Sequence, residues 1–411
     1  MKRFHICGTI SEIKDSTEPL VWDGAVVERY FPGLEPAVTA YLAVFGAMSL
    51  KGRSRPLSLL LETPSGHGKS TVIQMAFPDP KHEHQSHVYR SDKFTPKAFV
   101  SHAANVPRDE LEQIDLLPKL QGKVLLSKEL APLFRGRDDE MMENFSILIA
   151  VLDGKGFTSD SGMRGQRGYQ GSYVFNWVGA TTPLPPRVHQ MMAQLGTRLL
   201  FCQLPPLEPT EDELLEFAKN GDSDEAEAAC NAAVNDFLCA FYKRHPVGSV
   251  DPKSLEFPDP LVRQLVKWAT LLVKARACID YEKTDSEWEP ISVRPAEGPW
   301  RVVTSLKEIA LGHALISGRA TVTQDDLDLA GHVAMSSVPG HLRPMILRLR
   351  EVESLSSSDC KALCGVSAPT ARKRLKELSL LGIVELEAGS PESNAPDTIK
   401  LAPEYEWLKT K

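Results

Sequence analysis

The stretch Thr63-Pro64-Ser65-Gly66-His67-Gly68-Lys69-Ser70-Thr71 decides the fold of this chain. It follows an apolar burst at 57–61 that is short enough for a buried strand, and it precedes residues 72–77, which have the periodicity of a helix start. Gly66 and Gly68 allow backbone N–H groups to converge on an anion, because glycine has no Cβ to clash. Strand, glycine-rich turn, Lys-Ser and helix in this order are typical of a phosphate-binding loop.

The loop predicts ATP and Mg²⁺ as cofactors. Lys69 would reach the β- and γ-phosphates, and the Ser70 hydroxyl would coordinate Mg²⁺. Thr63 stands where the motif has glycine, and Pro64 restricts Thr63 to extended conformations, so the loop must bend mainly at its two glycines. The alternative is a glycine-rich turn with a chance Lys-Ser pair. The predicted nucleotide-binding residues are Pro64, Ser65, Gly66, His67, Gly68, Lys69, Ser70 and Thr71.

Composition places the chain among soluble globular proteins. It has 411 residues, a net charge of −7 and seven scattered cysteines without a pair of CxxC motifs. The acidic balance argues against coating of nucleic acid over the whole surface, but it allows a local basic patch. Free thiols fit a reducing, cytoplasmic location, and neither a signal peptide nor a membrane span is expected.

Apolar runs at 57–62, 123–127, 173–180 and 199–203 alternate with helical stretches. This pattern predicts an α/β fold with a parallel sheet. Ligands bind at the carboxyl ends of such strands, where the phosphate-binding loop, Glu129 and Thr182 fall.

Changes in composition divide the chain into four parts. A short lead-in, with strand as one possible form, precedes the α/β core. The acidic stretch 209–227 marks the next boundary, and the residues after it are predicted as helices at 228–242, 261–281, 300–317 and 324–337. The predicted parts are a lead-in at 1–34, the core at 35–208, a helical domain at 209–340 and a C-terminal domain at 341–411.

Glu129 follows the strand at 123–127. In ATPases with a phosphate-binding loop, such a strand ends in an Asp that holds Mg²⁺ through water and a Glu that polarises the attacking water. Glu129 fits the second role, whereas Lys128 occupies the position of the Asp. The alternative for Glu129 is a helix-capping or solvated carboxylate.

Residues 154–171 are rich in glycine and predict a long exposed hairpin or loop. Basic and aromatic side chains on such a tip suit a nucleic-acid backbone, and a solvated insertion is the alternative. The candidate nucleic-acid contacts here are Lys155, Arg164, Arg167 and Tyr169.

The C-terminal part predicts a winged helix-turn-helix. A short helix capped at 356–359 ends at Cys364, a tight turn follows at 365–367, and a basic helix spans 368–380 before a hairpin at 382–401. Such modules bind nucleic acid or dock proteins, and the basic cluster favours nucleic acid. The candidate contacts are Arg372, Lys373, Arg374 and Lys376.

Over residues 35–385, these elements in order resemble AAA+ ATPases, and within them the helicase group with a helix-2 insert, of which MCM helicases are the best known. The resemblance implies a P-loop NTPase core, a helical lid and a C-terminal winged helix. It implies that Thr182 acts as sensor 1, that Arg198 in Gly196-Thr197-Arg198-Leu199 is an arginine finger for a neighbouring subunit, and that Arg301 is the sensor-2 arginine. The N-terminal domain of MCM proteins has no counterpart in this sequence.

The sequence therefore predicts an ATPase that forms a hexamer or another ring and translocates on or remodels DNA. The predicted catalytic residues are Lys69, Glu129, Thr182, Arg198 and Arg301. The alternative, favoured by Lys128 and the acidic charge, is an ATP-dependent assembly switch with weak hydrolysis that recruits an accessory protein through the winged helix, as in a regulatory or defence complex.

Overall fold

The computed structural model of the chain describes residues 19–79, 81, 86–101, 107, 110–161, 165–195, 198–206, 208–220, 223–284, 288–389 and 396–409. The strands are β1 (Leu57–Glu62), β2 (Val88–Arg90), β3 (Val124–Ser127), β4 (Gly156–Ser161), β5 (Gly165–Gln170), β6 (Asn176–Thr181), β7 (Leu199–Gln203), β8 (Ile279–Lys283), β9 (Trp288–Val293), β10 (Leu355–Ser356), β11 (Val384–Glu387) and β12 (Thr398–Leu401).

The α-helices span both the core and the C-terminal half. They are α1 (Ala25–Tyr30), α2 (Glu35–Ala47), α3 (Lys69–Met75), α4 (Leu111–Ile114), α5 (Leu116–Leu120), α6 (Asp138–Val151), α7 (Pro186–Leu195), α8 (Glu211–Asn220), α9 (Ser223–Arg244), α10 (Asp259–Ala275), α11 (Trp300–Ile316), α12 (Gln324–Ser336), α13 (Arg343–Leu349), α14 (Ser357–Cys364) and α15 (Ala368–Leu380).

Five parallel strands in the order β2-β3-β6-β1-β7 form the central sheet. This confirms the predicted α/β class and is consistent with a P-loop NTPase-like core. All six residues of β1 are buried, because helices cover both faces of the sheet. Leu59 and Leu61 point into one apolar core with α2 and α3, whereas Leu60 points into a second core with α6 and α7, as the two-residue period of a strand requires.

The edge strand β2 was not among the predicted strands. It has only three residues, and Val88 is its single fully buried side chain, so it lacks the apolar run that identified the other strands. In the lead-in, residues 25–30 form α1 rather than a strand.

Helix α2 packs closely on α11, so the larger apolar core continues from the sheet into the helical part. Gly46 and Gly312 face each other at this crossing, and a Cβ on Gly312 would collide with the backbone of Ala43 and lie 2.8 Å from the backbone nitrogen of Ala47. Two glycines therefore let the helix backbones touch.

The helical part contains a strand pair that the sequence did not predict. The expected helix at 261–281 ends at Ala275, and Ile279 already belongs to β8, which pairs antiparallel with β9. Ile279 and Tyr281 have high β-propensity, but the partner strand lies beyond the loop, so the pairing was not visible in the local pattern. The hairpin of β8 and β9 is called the lid hairpin below.

The C-terminal elements lie where they were predicted. Ser356 and Asp359 form a reciprocal capping box at the start of α14, and Gly365 ends that helix with a φ of 61°. Helix α15 follows, and β11 and β12 form the expected hairpin, to which β10 adds a third strand. No helix in the described part of the chain is long and apolar enough to cross a membrane.

Candidate nucleotide-binding site

The predicted phosphate-binding loop joins β1 to α3 at the carboxyl edge of the sheet. Gly66 and Gly68 have φ angles of 88° and 78°, which side chains other than glycine adopt at a cost. A Cβ on Gly68 would also lie 2.7 Å from Leu34 Cδ1. Pro64, Ser65 and Gly66 are exposed, and no atom lies within 4 Å of a Cβ placed on Gly66. The loop is therefore bent at both glycines and open to solvent.

Thr63 extends the strand instead of bending the loop. It is fully buried, and its N–H donates to the Thr181 carbonyl at 3.3 Å. The extended conformation that Pro64 imposes thus suits the position, and the departure from glycine leaves the bend at Gly66 and Gly68 intact.

Lys69 and Glu129 meet beside the loop. Lys69 is only 5 % exposed, and its Nζ lies 3.9 Å from Glu129 Oε2. The other carboxylate oxygen of Glu129 accepts the N–H of Ala131 at 2.8 Å. The capping role considered for Glu129 is therefore real, and the same carboxylate also faces Lys69. Its side chain remains 42 % exposed, so water reaches it.

Lys128 is engaged elsewhere. Its Nζ lies 5.1 Å from the centroid of the Phe77 ring, over which the guanidinium of Arg90 also lies at 4.1 Å. The hydrogen bond and charge of Arg90, together with the charge of Lys128, lower the pKa of Asp92. The ammonium at this position thus makes a cation–π contact with an aromatic ring.

Thr182 lies directly after β6, which is flanked by β1 and β3. The register pairs Glu62 with Thr181, so Thr182 is beside Thr63 at the same sheet edge as the loop and Glu129. The structure thus brings the loop, Glu129 and Thr182 together at one edge, and their catalytic roles remain predictions.

Arg198 and Arg301 lie at the opposite end of the sheet. Arg198 immediately precedes β7, whose first residue pairs with Ser58 near the start of β1. Its Nη2 is 3.1 Å from Asp153 Oδ2, and Arg301 Nη2 is 4.0 Å from Asp153 Oδ1. Burial and the charge of Arg198 lower the pKa of Arg301. About 20 Å of strand separates this end from the loop, so neither arginine lies near the phosphate-binding loop of the same chain. Gly196 and Thr197 lie outside the described residues.

Sequence reasoning missed Glu62, the last residue of β1. Its carboxylate is 4 % exposed and accepts from Arg343 Nη2 at 3.0 Å and from the Leu184 N–H at 3.4 Å. A carboxylate ending an otherwise apolar strand was the available signal. The pair connects the strand that carries the loop to α13, which leads into the C-terminal part.

Strands β4 and β5 pair antiparallel, so the glycine-rich segment forms a hairpin, one of the two predicted forms. Lys155 is exposed, and Arg164 lies outside the described residues. Arg167 Nη2 and the Tyr169 hydroxyl both donate to Oδ2 of the fully buried Asp115, at 2.8 and 2.7 Å. Burial and this carboxylate raise the pKa of Tyr169. Two candidate nucleic-acid contacts are therefore bound to the body of the protein, and their contact with DNA stays a prediction.

The basic residues of α15 differ in their surroundings. Arg372 is exposed, with its Nε 3.9 Å from Asp397. The Lys373 ammonium lies 4.4 Å from the Tyr281 ring centroid, and Lys376 Nζ lies 2.7 Å from Glu289 Oε2. Tyr281 and Glu289 belong to the lid hairpin, which therefore covers part of the basic face.

No protein-family model and no curated protein matches the chain. Among solved structures, a full-length MCM homolog from Methanopyrus kandleri is similar, with a TM-score of 0.39 and 12% sequence identity. The match covers 77% of this chain and 58% of that homolog, so the chain aligns with little more than half of its length.

Proposed function

We propose that this chain is an AAA+-type ATPase that binds MgATP at the 64–71 loop, hydrolyses it and acts on DNA as a ring. The observation that supports this best is the approach of Lys69 to Glu129, at 3.9 Å, beside an exposed loop bent at two glycines. A cation and a carboxylate are placed together where a triphosphate and an attacking water would meet.

The residues at the edge fit MgATP. The open side of Gly66 leaves room for phosphate oxygens, Lys69 would neutralise charge on the β- and γ-phosphates, and the exposed Ser70 would hold Mg²⁺. Bound Mg²⁺ supplies charge neutralisation of the phosphate oxygens. Glu129 would orient a water molecule and accept its proton, because its carboxylate is fixed by the Ala131 N–H and remains accessible to solvent. Thr182 would contact the γ-phosphate or that water.

Ring formation is supported by the position of Arg198 and Arg301. Both lie on Asp153 at the end of the sheet remote from their own loop, so they would complete the site of an adjacent subunit. The exposed Lys155 and Arg372 would contact DNA, together with hairpin and α15 residues once these are released from their present partners. Helix α14, the turn, α15 and the β11–β12 hairpin would form the DNA-binding winged helix.

The test compares three proteins for MgATP binding and for turnover with and without DNA. Wild type is expected to bind and to turn over faster with DNA. Lys69→Ala is expected to lose binding by about tenfold or more, because hydrogen bonds to charged groups contribute about 1.5–3 kcal/mol. Glu129→Gln is expected to bind normally and to hydrolyse about 10²–10⁴-fold more slowly. Binding of MgATP by the wild type without ATP turnover at any DNA concentration would overturn the proposal of a DNA-dependent ATPase.

The second candidate is an ATP-dependent assembly switch with weak hydrolysis and an accessory protein partner. It is favoured by Lys128, since an ammonium held on Phe77 cannot supply the carboxylate that helps to hold Mg²⁺. This candidate predicts ATP-dependent oligomerisation of Glu129→Gln equal to that of wild type, with negligible turnover in both.

A further inference from the structure

A cleft of about 600 Å³ separates the lid hairpin from α15. Its size is within the range of sites that hold small ligands or single nucleotides. The lining combines two aromatic rings, Tyr281 and Trp288, with the cationic side chains of Arg294, Lys373 and Arg374. Nothing in the nucleotide-binding site uses these groups together, since the cleft lies against the C-terminal part of the chain.

We propose that this cleft binds a single strand of nucleic acid, with a base on Trp288 and backbone phosphate on Arg374, and that the lid hairpin keeps duplex DNA off α15. The proposal rests on the nucleic-acid role proposed above for α15, and it specifies which form of nucleic acid the helix can receive.

Trp288 is 56 % exposed although it is a large apolar side chain in the wall of the cleft. An exposed aromatic face beside cations is the combination that binds single strands, since bases stack on the ring while cations neutralise the backbone. The ring of Tyr281 is less available, because Lys373 already lies over it and its hydroxyl donates to Glu377 at 3.0 Å. Trp288 is therefore the stacking surface.

Arg374 is half-buried in the cleft wall and has no ion-pair partner among the residues that the structure describes. Three cations, Arg294, Lys373 and Arg374, line the cleft against two carboxylates, Asp280 and Glu377. Arg294 is paired with Asp280 at 2.8 Å, and the Glu377 carboxylate is shared between Tyr281 and His341. The unmatched charge that faces the cleft is thus positive, which favours an anionic ligand such as a phosphodiester.

The lid hairpin covers the outward face of α15. Ala371, Leu375 and Leu378 turn one side of the helix into the core, and Lys373 lies opposite them, beneath Tyr281. Lys376 on the same side is bound to Glu289. A major groove about 12 Å wide just admits a helix of about 10–12 Å. A helix that carries a strand layer about 10 Å away on its outer side is too wide for that groove.

The test measures fluorescence anisotropy of the full-length protein without nucleotide. The probes are labelled oligo-dU, oligo-rU, a blunt mixed-sequence duplex and an oligoglutamate peptide. We expect single strands to bind at least about tenfold more tightly than the duplex, with the tighter of the two oligonucleotides identifying the sugar. Trp288→Ala should weaken single-strand binding about tenfold, as loss of one stacked base predicts, and Trp288→Phe should restore most of it.

Matched controls are available in the chain. Trp300 is 81 % exposed and lies outside the cleft, and Arg263 is an exposed arginine on α10. Trp300→Ala and Arg263→Ala should bind single strands as wild type does. Arg374→Ala should bind single strands more weakly than wild type. Glu289→Lys opposes Lys376 with a like charge, so duplex affinity should rise.

Equal affinity for duplex and single strand, unchanged binding in Trp288→Ala, or tighter binding of the acidic peptide would each overturn the proposal. Since nucleotide is absent, the result is independent of ATP binding and hydrolysis. Failure of the ATPase proposal would appear in the Lys69→Ala and Glu129→Gln comparison. Failure of the proposal for the cleft would appear only in these anisotropy measurements.

Discussion

Glu62 and Arg343 are 281 positions apart in the chain and form a buried ion pair, with Oε2 and Nη2 separated by 3.0 Å. Arg343 also donates to the Ser336 carbonyl. The strand that ends at the phosphate-binding loop is thereby joined to α13 and, through it, to the C-terminal elements.

Arg343→Ala is expected to lower the free energy of unfolding by about 3–5 kcal/mol, because it leaves the Glu62 carboxylate buried without its partner. Urea denaturation followed by circular dichroism measures this. Arg348→Ala is the matched control, since its pair with Glu351 is about half exposed and should contribute less than about 1 kcal/mol. Equal effects of the two substitutions would contradict the assigned role of the buried pair.

Lys128→Ala is expected to leave MgATP affinity within about threefold of wild type. The ammonium lies on Phe77, and its loss removes a partly exposed cation–π contact of about 0.5–1 kcal/mol. Isothermal titration calorimetry with MgATP gives the affinity, and thermal denaturation gives the small change in stability. A loss of affinity as large as that of Lys69→Ala would show that Lys128 reaches the nucleotide.

Mixing of inactive subunits tests the placement of Arg198. Arg198→Ala alone is expected to lower turnover by about 10³-fold or more if it supplies a finger to the adjacent site. Mixtures of Arg198→Ala and Lys69→Ala subunits should regain turnover, because some interfaces combine an intact loop with an intact arginine. Failure of every mixing ratio to regain turnover would argue against action between subunits.

Asp115→Ala is expected to release the hairpin of β4 and β5. The substitution removes the shared acceptor of Arg167 and Tyr169 and leaves a guanidinium that is only 10 % exposed without its ion-pair partner, which should cost about 3–5 kcal/mol. Hydrogen exchange across 156–170 should accelerate. Asp160→Ala, at an exposed position of the same hairpin, should leave the exchange unchanged.

Stability is expected to fall below pH 6.5 through His189. Burial, with the charges of Arg276, His341 and Arg343, lowers the pKa of His189 to about 3, and its Nε2 is buried without a partner among the described residues. Between pH 6.5 and about 3, the His189 imidazole binds a proton in the unfolded chain but stays neutral in the folded chain. The free energy of unfolding therefore decreases as pH falls, by at most about 1.4 kcal/mol per pH unit. Denaturation of wild type and His189→Gln at pH 7 and pH 5 measures the difference, which should be smaller in the variant.

Local sequence patterns predicted the elements that are marked by a glycine turn or a helix cap. Gly66, Gly68 and Lys69 identified the loop, and the polar run at 356–359 predicted the start of the helix that ends at Cys364. Such signals are local, because a cap or a glycine turn depends on neighbours within a few positions. The end of α10 at Ala275 was missed, since strand pairing with β9 overrode the helical pattern of the residues that follow it.

The sequence by itself determined four of the five strands of the central sheet, the loop with its two glycines, Lys69 at the start of the helix after the loop, and Glu129 after a buried strand. Only the tertiary structure decided what each charge contacts: Lys128 on Phe77, Arg198 and Arg301 on Asp153, Arg167 and Tyr169 on Asp115, and Lys373 and Lys376 under the lid hairpin. The physical reason is that backbone propensity and apolar periodicity act over a few residues, whereas a buried or paired charge selects its partner from residues that folding brings together across hundreds of positions.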